Sequence, residues 1–397
     1  MPDTMARHTR RKKAAARKRR TRTSAHFLKS EMFWLLVLGI IAVGVGLSAR
    51  TVSLYGTVFG TQSPGMLFVG DVMLARHVET LVDEHGTQYP FKGVRDTLEQ
   101  YDAVVGNFEA GIPEHHVHTP GFTFKFSVAE DIAAVLPRVG FTHLTLANNH
   151  SYDYGTEAYE HTRAVLANAG LSAGGNPQTL SLGEVLYYTL GDVEIAIIPI
   201  NTIFRTPPRA EMEAVLADAA QNSDLQIVSI HWGTEYELVA NETQRALARA
   251  LVDAGADAII GHHPHVVQDI EEYRGAPIFY SLGNFIFDQY WNGDVQEGLT
   301  VALSFSEHEA RYALLPVTSI EMRSQPRPMN RVERTQFLDT LAKRSEQTLT
   351  EPITDGAIVE IFRLTSTSEE RKENSFSFLL RAQSKQTLFT GAVQVVK

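Results

Sequence analysis

The sequence predicts an α/β fold, and three observations carry that expectation. Short, β-rich apolar runs alternate with amphipathic helical stretches from residue 65 onward, which is the pattern of strand–helix–strand units. Five of those runs stop at a side chain able to hold a metal or move a proton, and in α/β sheets such positions gather outside the carboxyl ends of the strands. The chain of 397 residues is too long for one small core, and its 44% apolar and 21% charged residues are those of a folded protein.

The chain opens on a basic tail. Residues 1–31 hold 11 Lys or Arg against two acids, whereas the remainder holds 25 basic and 44 acidic residues. Such a tail can bind nucleic acid, but "MFWLLVLGIIAVGVGLSA" follows it at residues 32–49 without a charge. A helix of that length spans roughly 27 Å, enough for the hydrocarbon core of a bilayer. Basic residues before it and an acidic body after it leave the N-terminus in the cytoplasm. The expectation is a single-pass cell-membrane anchor at 32–49, a juxtamembrane linker at 50–64 and an extracytoplasmic domain beyond, with no nucleic-acid partner. A signal cleaved near "LSA" is the competing reading. It would need an unusually long n-region and an apolar core longer than the usual ~7–15 residues.

The expected strands then follow in order: 66–70, 102–106, 143–147, 194–200, 226–230, 257–261 and 277–282. "NETQ" opens the helix before the sixth run, with Asn241 as N-cap and Gln244 completing a capping box; Leu247, Leu251 and Ala254 give its apolar face and Gly255 ends it. The chemistry sits where strands stop. "MLFVG" runs into Asp71, "DAVVG" into "NFE" with Glu109, and "HLTLA" into "NNHSYD" with Asn149, His150 and Asp153. "QIVSI" stops at His231, and "DAIIG" at "HHPH", residues 262–265. Five coincident chain ends argue for one shared metal site.

Without cysteine, any ion must be held by nitrogen and oxygen. In an extended segment His263 and His265 face the same way, about 7 Å apart at their Cα atoms, and Pro264 favours that form. Two neighbouring imidazoles suit two ions about 3.5–4 Å apart. Asp71 and Glu109 supply hard oxygen and Asn149 a neutral carbonyl. This mixed set fits Mn, Fe or Zn better than a calcium cage and does not choose among them.

The run "GDVMLAR", "GNFEAGI", "LANNHSYDYG", "HWGTEY" and "GHHPHVVQ…YRGAPIFYSLGNFIFD" resembles the CapA family of capsule and poly-γ-glutamate biosynthesis proteins, within the calcineurin-like metallophosphoesterase superfamily. The resemblance covers about residues 65–328. It implies a four-layer α/β/β/α sandwich, one or two divalent transition-metal ions and a membrane anchor. Carried over by motif, it makes Asp71, Glu109, Asn149, His231, His263 and His265 metal ligands, His150 a general acid and Asp153 the residue that orients it. Arg76 and Asn284 are weaker candidates for substrate contact. Two departures matter: Met73 stands where many superfamily members carry a metal-binding histidine, and "GNFE" replaces their second acidic motif. A thioether is a poor ligand for hard ions, so activity does not follow from fold alone.

Other features carry less. His115, His116 and His118 in "EHHVH" read as a solvated or substrate-edge loop, and His262 as a neighbour of the ligands. Residues 329–397 form an extension on the main domain, with Asn330 and Glu333 capping a helix whose Phe337, Leu338 and Leu341 read as core. "AIVEIF", "SFSFLL" and "LFTGAVQVV" are expected strands. Two functions fit these residues. One is a metal-dependent hydrolase or transferase, with a metal-bound hydroxide as nucleophile and His150 as acid. The other is a non-catalytic, metal-binding accessory subunit that meets an anionic polymer such as poly-γ-glutamate and other capsule-synthesis or export membrane proteins.

Overall fold

Parallel strands set the architecture, because each one brings its carboxyl end to the same edge. The computed structural model describes residues 65–121, 123–306 and 309–361. The expected tail, anchor and linker at 1–64 lie outside the described residues, as do the last two expected strands. Among the described residues no helix is long and apolar enough to cross a membrane.

Two sheets form. The first runs β14 (Arg327–Pro328), β13 (Glu309–Thr318), β12 (Glu297–Phe305), β1 (Gly65–Val72), β2 (Ala103–Phe108), β3 (His143–Thr145), β4 (Ser172–Gly174). On this sheet β11 (Asn284–Ile286) also pairs with β1, and β15 (Ala357–Ile361) with β13. The second runs β5 (Leu186–Leu190), β6 (Val193–Asn201), β7 (Leu225–His231), β8 (Ala258–His262), β10 (Ala276–Phe279), β9 (Ile270–Tyr273). β1 to β4 are mutually parallel, and so are β6, β7, β8 and β10.

Side-chain alternation builds the core. Met66, Phe68, Ala103 and Val105 of the first sheet meet Ile195, Ile197, Leu225, Ile227, Ala258 and Ile260 of the second in one buried cluster. The opposite face of the second sheet (Ala196, Ile198, Val228, Ile230, Ile259) packs on Met212, Val215 and Leu216 of helix Arg209–Asn222 and on Ala248 and Leu251 of helix Glu242–Asp253. The latter helix has the expected capping box at Asn241 and Gln244. Helix Arg331–Arg344, capped by Asn330 and Glu333, places Phe337, Leu338 and Leu341 in the core between the sheets. The extension therefore completes the main core, and its first expected strand pairs with β13.

One irregularity aims the site. Between Phe68 and Asp71 strand β1 carries an extra residue relative to β2: Phe68 pairs with Val105, but Asp71 pairs with Asn107. Strict alternation from Met66 and Phe68 would turn Asp71 to the outer face. The bulge turns it inward, level with Asn107 and Glu109. Gly70 permits this, since a Cβ there would lie 2.0 Å from the Gly283 carbonyl oxygen.

Candidate metal centre

Register brings the polar strand ends together. On one sheet Asp71, Asn107 and Thr145 lie side by side, and on the other Asn201, His231 and His262 do. In β7, Leu225 and Ile227 point into the shared core, so His231 falls on that inner face by period two; His262 follows Ala258 and Ile260 in the same way. The carboxyl ends of both sheets thus empty their polar residues into one buried space.

Asp71, Glu109 and His231 offer ligand atoms within 4.8 Å of one another, and all three are buried. The Asn107 amide nitrogen donates to Asp71 Oδ1 and to Glu109 Oε1, each at 2.9 Å, and lies 3.2 Å from His231 Nδ1. His231 Nε2 meets Asn149 Oδ1 at 2.8 Å. Asp71 is further approached by His262 Nδ1 at 3.2 Å and His265 Nδ1 at 3.3 Å. The His263 ring centroid is 4.7 Å from that of His231 and 6.0 Å from that of His265. All six sequence-predicted ligands therefore converge.

The path by which His263 and His265 arrive corrects the expectation of an extended segment. Their φ values are 98° and 59°, left-handed conformations that L-residues adopt at a cost. The chain turns at both histidines instead of running straight through Pro264, and the His263 backbone N–H points to Asp71 Oδ2 at 3.3 Å.

Charge in this space is incompletely answered. Burial, the Asp71 carboxylate and Glu235 push Glu109 well above the usual carboxylate range. Burial also acts against Asp71, but the imidazoles of His262 and His265 outweigh it and hold its pKa well below the usual value. Burial and the neighbouring histidines hold His231 neutral, and His263 down to about 3. Glu109 Oε2 and His263 Nδ1 are buried without a hydrogen-bond partner, and His262 Nδ1 has only the Asp71 carboxylate, at 3.2 Å and outside hydrogen-bond geometry. Orphaned atoms of this kind are rare in a protein interior. Two acids, neutral imidazoles and an amide carbonyl, with no sulfur, are the donor set of a divalent transition metal, so the residues fit the ion that the sequence implied.

Beside this cluster, His150 Nδ1 lies 3.0 Å from Asp153 Oδ2, and the Phe126 ring stacks on the imidazole at 3.9 Å. Asn148 builds the turn that presents both Asn149 and His150, its Oδ1 accepting the His150 and Ser151 N–H groups at 3.0 Å each. Arg76 is buried, pairs with Asp288 and stacks over Phe126 at 4.5 Å. Asn284 is also buried, with Oδ1 3.0 Å from His265 Nδ1 and its amide nitrogen bound to Gln289 and Val295. Both weaker substrate candidates thus have protein partners, while Arg76 Nε is buried without one. His116 is tied to Ser127 and Glu79, and His118 also faces Glu79. The Met73 sulfur accepts the Ala75 N–H at 3.1 Å.

Sequence reasoning passed over Asn107 and Glu235 and expected His262 as a neighbour of the ligands. Asn107 was legible, because it shares a strand face with Glu109. His262 follows the same parity as Ile260. Glu235, exposed in the "HWGTEY" loop, lies with His263 and His265 in a second group whose ligand atoms fall within 4.8 Å; no periodicity marks it.

The protein is an α/β protein of two facing sheets whose strand ends bury a carboxylate, imidazole and amide cluster, a donor set that could hold a divalent metal. Residues 65–289 match the family described as bacterial capsule synthesis protein PGA_cap. The chain is 33% identical over 303 residues to the capsule biosynthesis protein CapA of Bacillus anthracis, covering 69% of this chain and 73% of that protein. It is 32% identical over 294 residues to the PGA biosynthesis protein CapA of Bacillus subtilis strain 168, covering 70% and 77%. The chain belongs to this capsule synthesis family. Among solved structures, a phosphatase from Mycoplasma pneumoniae aligns over 64% of this chain and 88% of its own at 16% identity and a TM-score of 0.39.

Proposed function

We propose that this chain is a membrane-anchored, extracytoplasmic, metal-dependent hydrolase or transferase of the metallophosphoesterase type, acting in capsule or poly-γ-glutamate biosynthesis. The observation that supports it best is the buried Asp71–Glu109 pair. Among the described residues neither acid has a Lys or Arg within ion-pair distance, and one Glu109 oxygen has no donor. Two adjacent buried carboxylates are costly unless a cation joins them. Asp71, Glu109, Asn149, His231, His263 and His265 would hold divalent metal. When bound, it supplies positive charge for a phosphate or carboxylate oxygen and lowers the pKa of water.

The chain's own residues supply the proton. Asp153 accepts from His150 Nδ1, which fixes the orientation of the ring. Phe126 holds the ring face, and Nε2, which lies 3.2 Å from the Asn149 amide nitrogen beside the cluster, is the atom that would hand a proton to a leaving group. A second reading, a metal-binding accessory subunit of a polymer synthesis or export complex, draws on the neutral Asn107 between the acids and on the occupied Met73 sulfur. Polymer output in cells that depend on this protein separates the two. With protein level and metal content matched to wild type, His150→Ala should slow turnover by roughly 10²–10⁴-fold. Normal output would overturn the enzyme and leave the accessory subunit.

A further inference from the structure

The metal-binding groups divide by burial. Asp71, Glu109 and His231 are fully enclosed, whereas Glu235, His263 and His265 combine two buried imidazoles with a carboxylate in solvent. We propose that Glu235 is the carboxylate ligand of a second, solvent-facing divalent-cation position, shared with His263 and His265, and that this ion is the more weakly held of a pair. The inference rests on the reading of the strand-end cluster as a metal centre.

Three observations carry it beyond proximity. First, His263 Nδ1 is buried and has no hydrogen-bond partner, although this residue spends an unfavourable left-handed φ of 98° to stand where it does. Second, the loop bearing Glu235 is clamped to the histidine turn on both sides. The Trp232 N–H donates to the His262 carbonyl at 3.1 Å, and the Tyr236 N–H to the Pro264 carbonyl at 2.8 Å. Tyr236 itself is left-handed at φ 66° and lies over His265 with ring centroids 6.0 Å apart. The carboxylate between those clamps is held beside the imidazoles and is not on a free loop. Third, charge favours it. Of the two enclosed acids only Asp71 is in contact with this histidine pair, 3.3 Å from His265 Nδ1, and His263 and His265 add no negative charge. A dication beside another dication needs local negative charge, and Glu235 is the acid grouped with these two histidines. Because Glu235 faces solvent, part of that ion's coordination stays open to water or to a phosphate or carboxylate oxygen of substrate.

The test is Mn²⁺ titration of the full chain after chelator treatment, with bound metal counted by mass spectrometry and followed by electron paramagnetic resonance. Wild type should take up two ions per chain and, when full, show the spin-coupled signal of a close pair. Glu235→Gln should keep the first ion, lose the coupled signal and bind the second about 10²-fold more weakly, at the upper end of what loss of even an outer metal-site partner costs. Glu237→Gln, two residues along the same exposed loop, should match wild type. Unchanged affinity and coupling in Glu235→Gln would overturn the assignment while leaving the enclosed site standing. No uptake by wild type would instead overturn the metal centre itself.

Discussion

Two pairs of buried acids in this molecule have opposite surroundings. Asp269 and Glu271, beside β9, are answered in full. Arg245 reaches both, at 2.6 Å and 3.2 Å, Arg249 takes the other Glu271 oxygen at 2.7 Å, and Tyr280 and the Ala240 N–H complete the set. Asp71 and Glu109 share one amide donor and have imidazoles, but among the described residues no Lys or Arg, beside them. Burial raises Glu271, yet Arg249, Tyr280 and Arg245 bring it below its ordinary pKa, whereas Glu109 is driven up. Residue type therefore does not distinguish a structural ion network from a metal centre. The cations that are present, and the oxygens left without donors, do.

The comparison can be broken at either end. The largest effect is expected from Arg245→Met, which leaves Asp269 without its guanidinium. Unfolding free energy should fall by about 3 kcal/mol in urea titrations, with metal content unchanged. At the metal centre the sign reverses. In the presence of chelator at pH 7, Glu109→Gln should be at least as stable as wild type, by up to about 1 kcal/mol, because burial and Asp71 oppose ionisation of Glu109 in the folded chain and an amide carries no such penalty. The same substitution should weaken metal binding.

The pH dependence sharpens the contrast. The folded-state pKa of Glu271 is depressed below the ordinary glutamate value of 4.5, so its stabilisation is present above that value and is lost as pH falls through the folded pKa. The stability gap between wild type and Glu271→Gln should be open at pH 7 and narrow steadily in acid. A gap that widened in acid would invert the account of that network. The smallest effect belongs to His115→Ala. This histidine is exposed, and metal content and stability should both stay at wild-type values.

Much of this was legible in the sequence because period two governs strands. The seven strands expected between residues 66 and 282 all form, and the parity of Leu225, Ile227 and His231 alone sends that histidine inward. The facing of Asp71 was not legible, since it depends on one extra residue in β1 and on the backbone contact at Gly70. The left-handed turn at His263 and His265 was also hidden, because a proline between histidines reads as extended. Strands β12 and β13 were passed over. They are apolar runs without chemistry at their ends, yet they form the antiparallel half that flanks β1. Glu235 was missed because a loop acid has no periodic signature, and only the fold brings it to the histidines.

The central claim is that the unanswered acids hold metal, and one measurement tests it most directly. Wild-type chain and Asp71→Asn are purified without chelator and compared for bound Mn, Fe and Zn, with circular dichroism to confirm that both are folded. The account predicts at least one transition-metal ion per wild-type chain and loss of most of it in the folded Asp71→Asn variant. A wild-type chain that neither carries nor takes up these metals, or an Asp71→Asn chain that binds them as tightly, would contradict it.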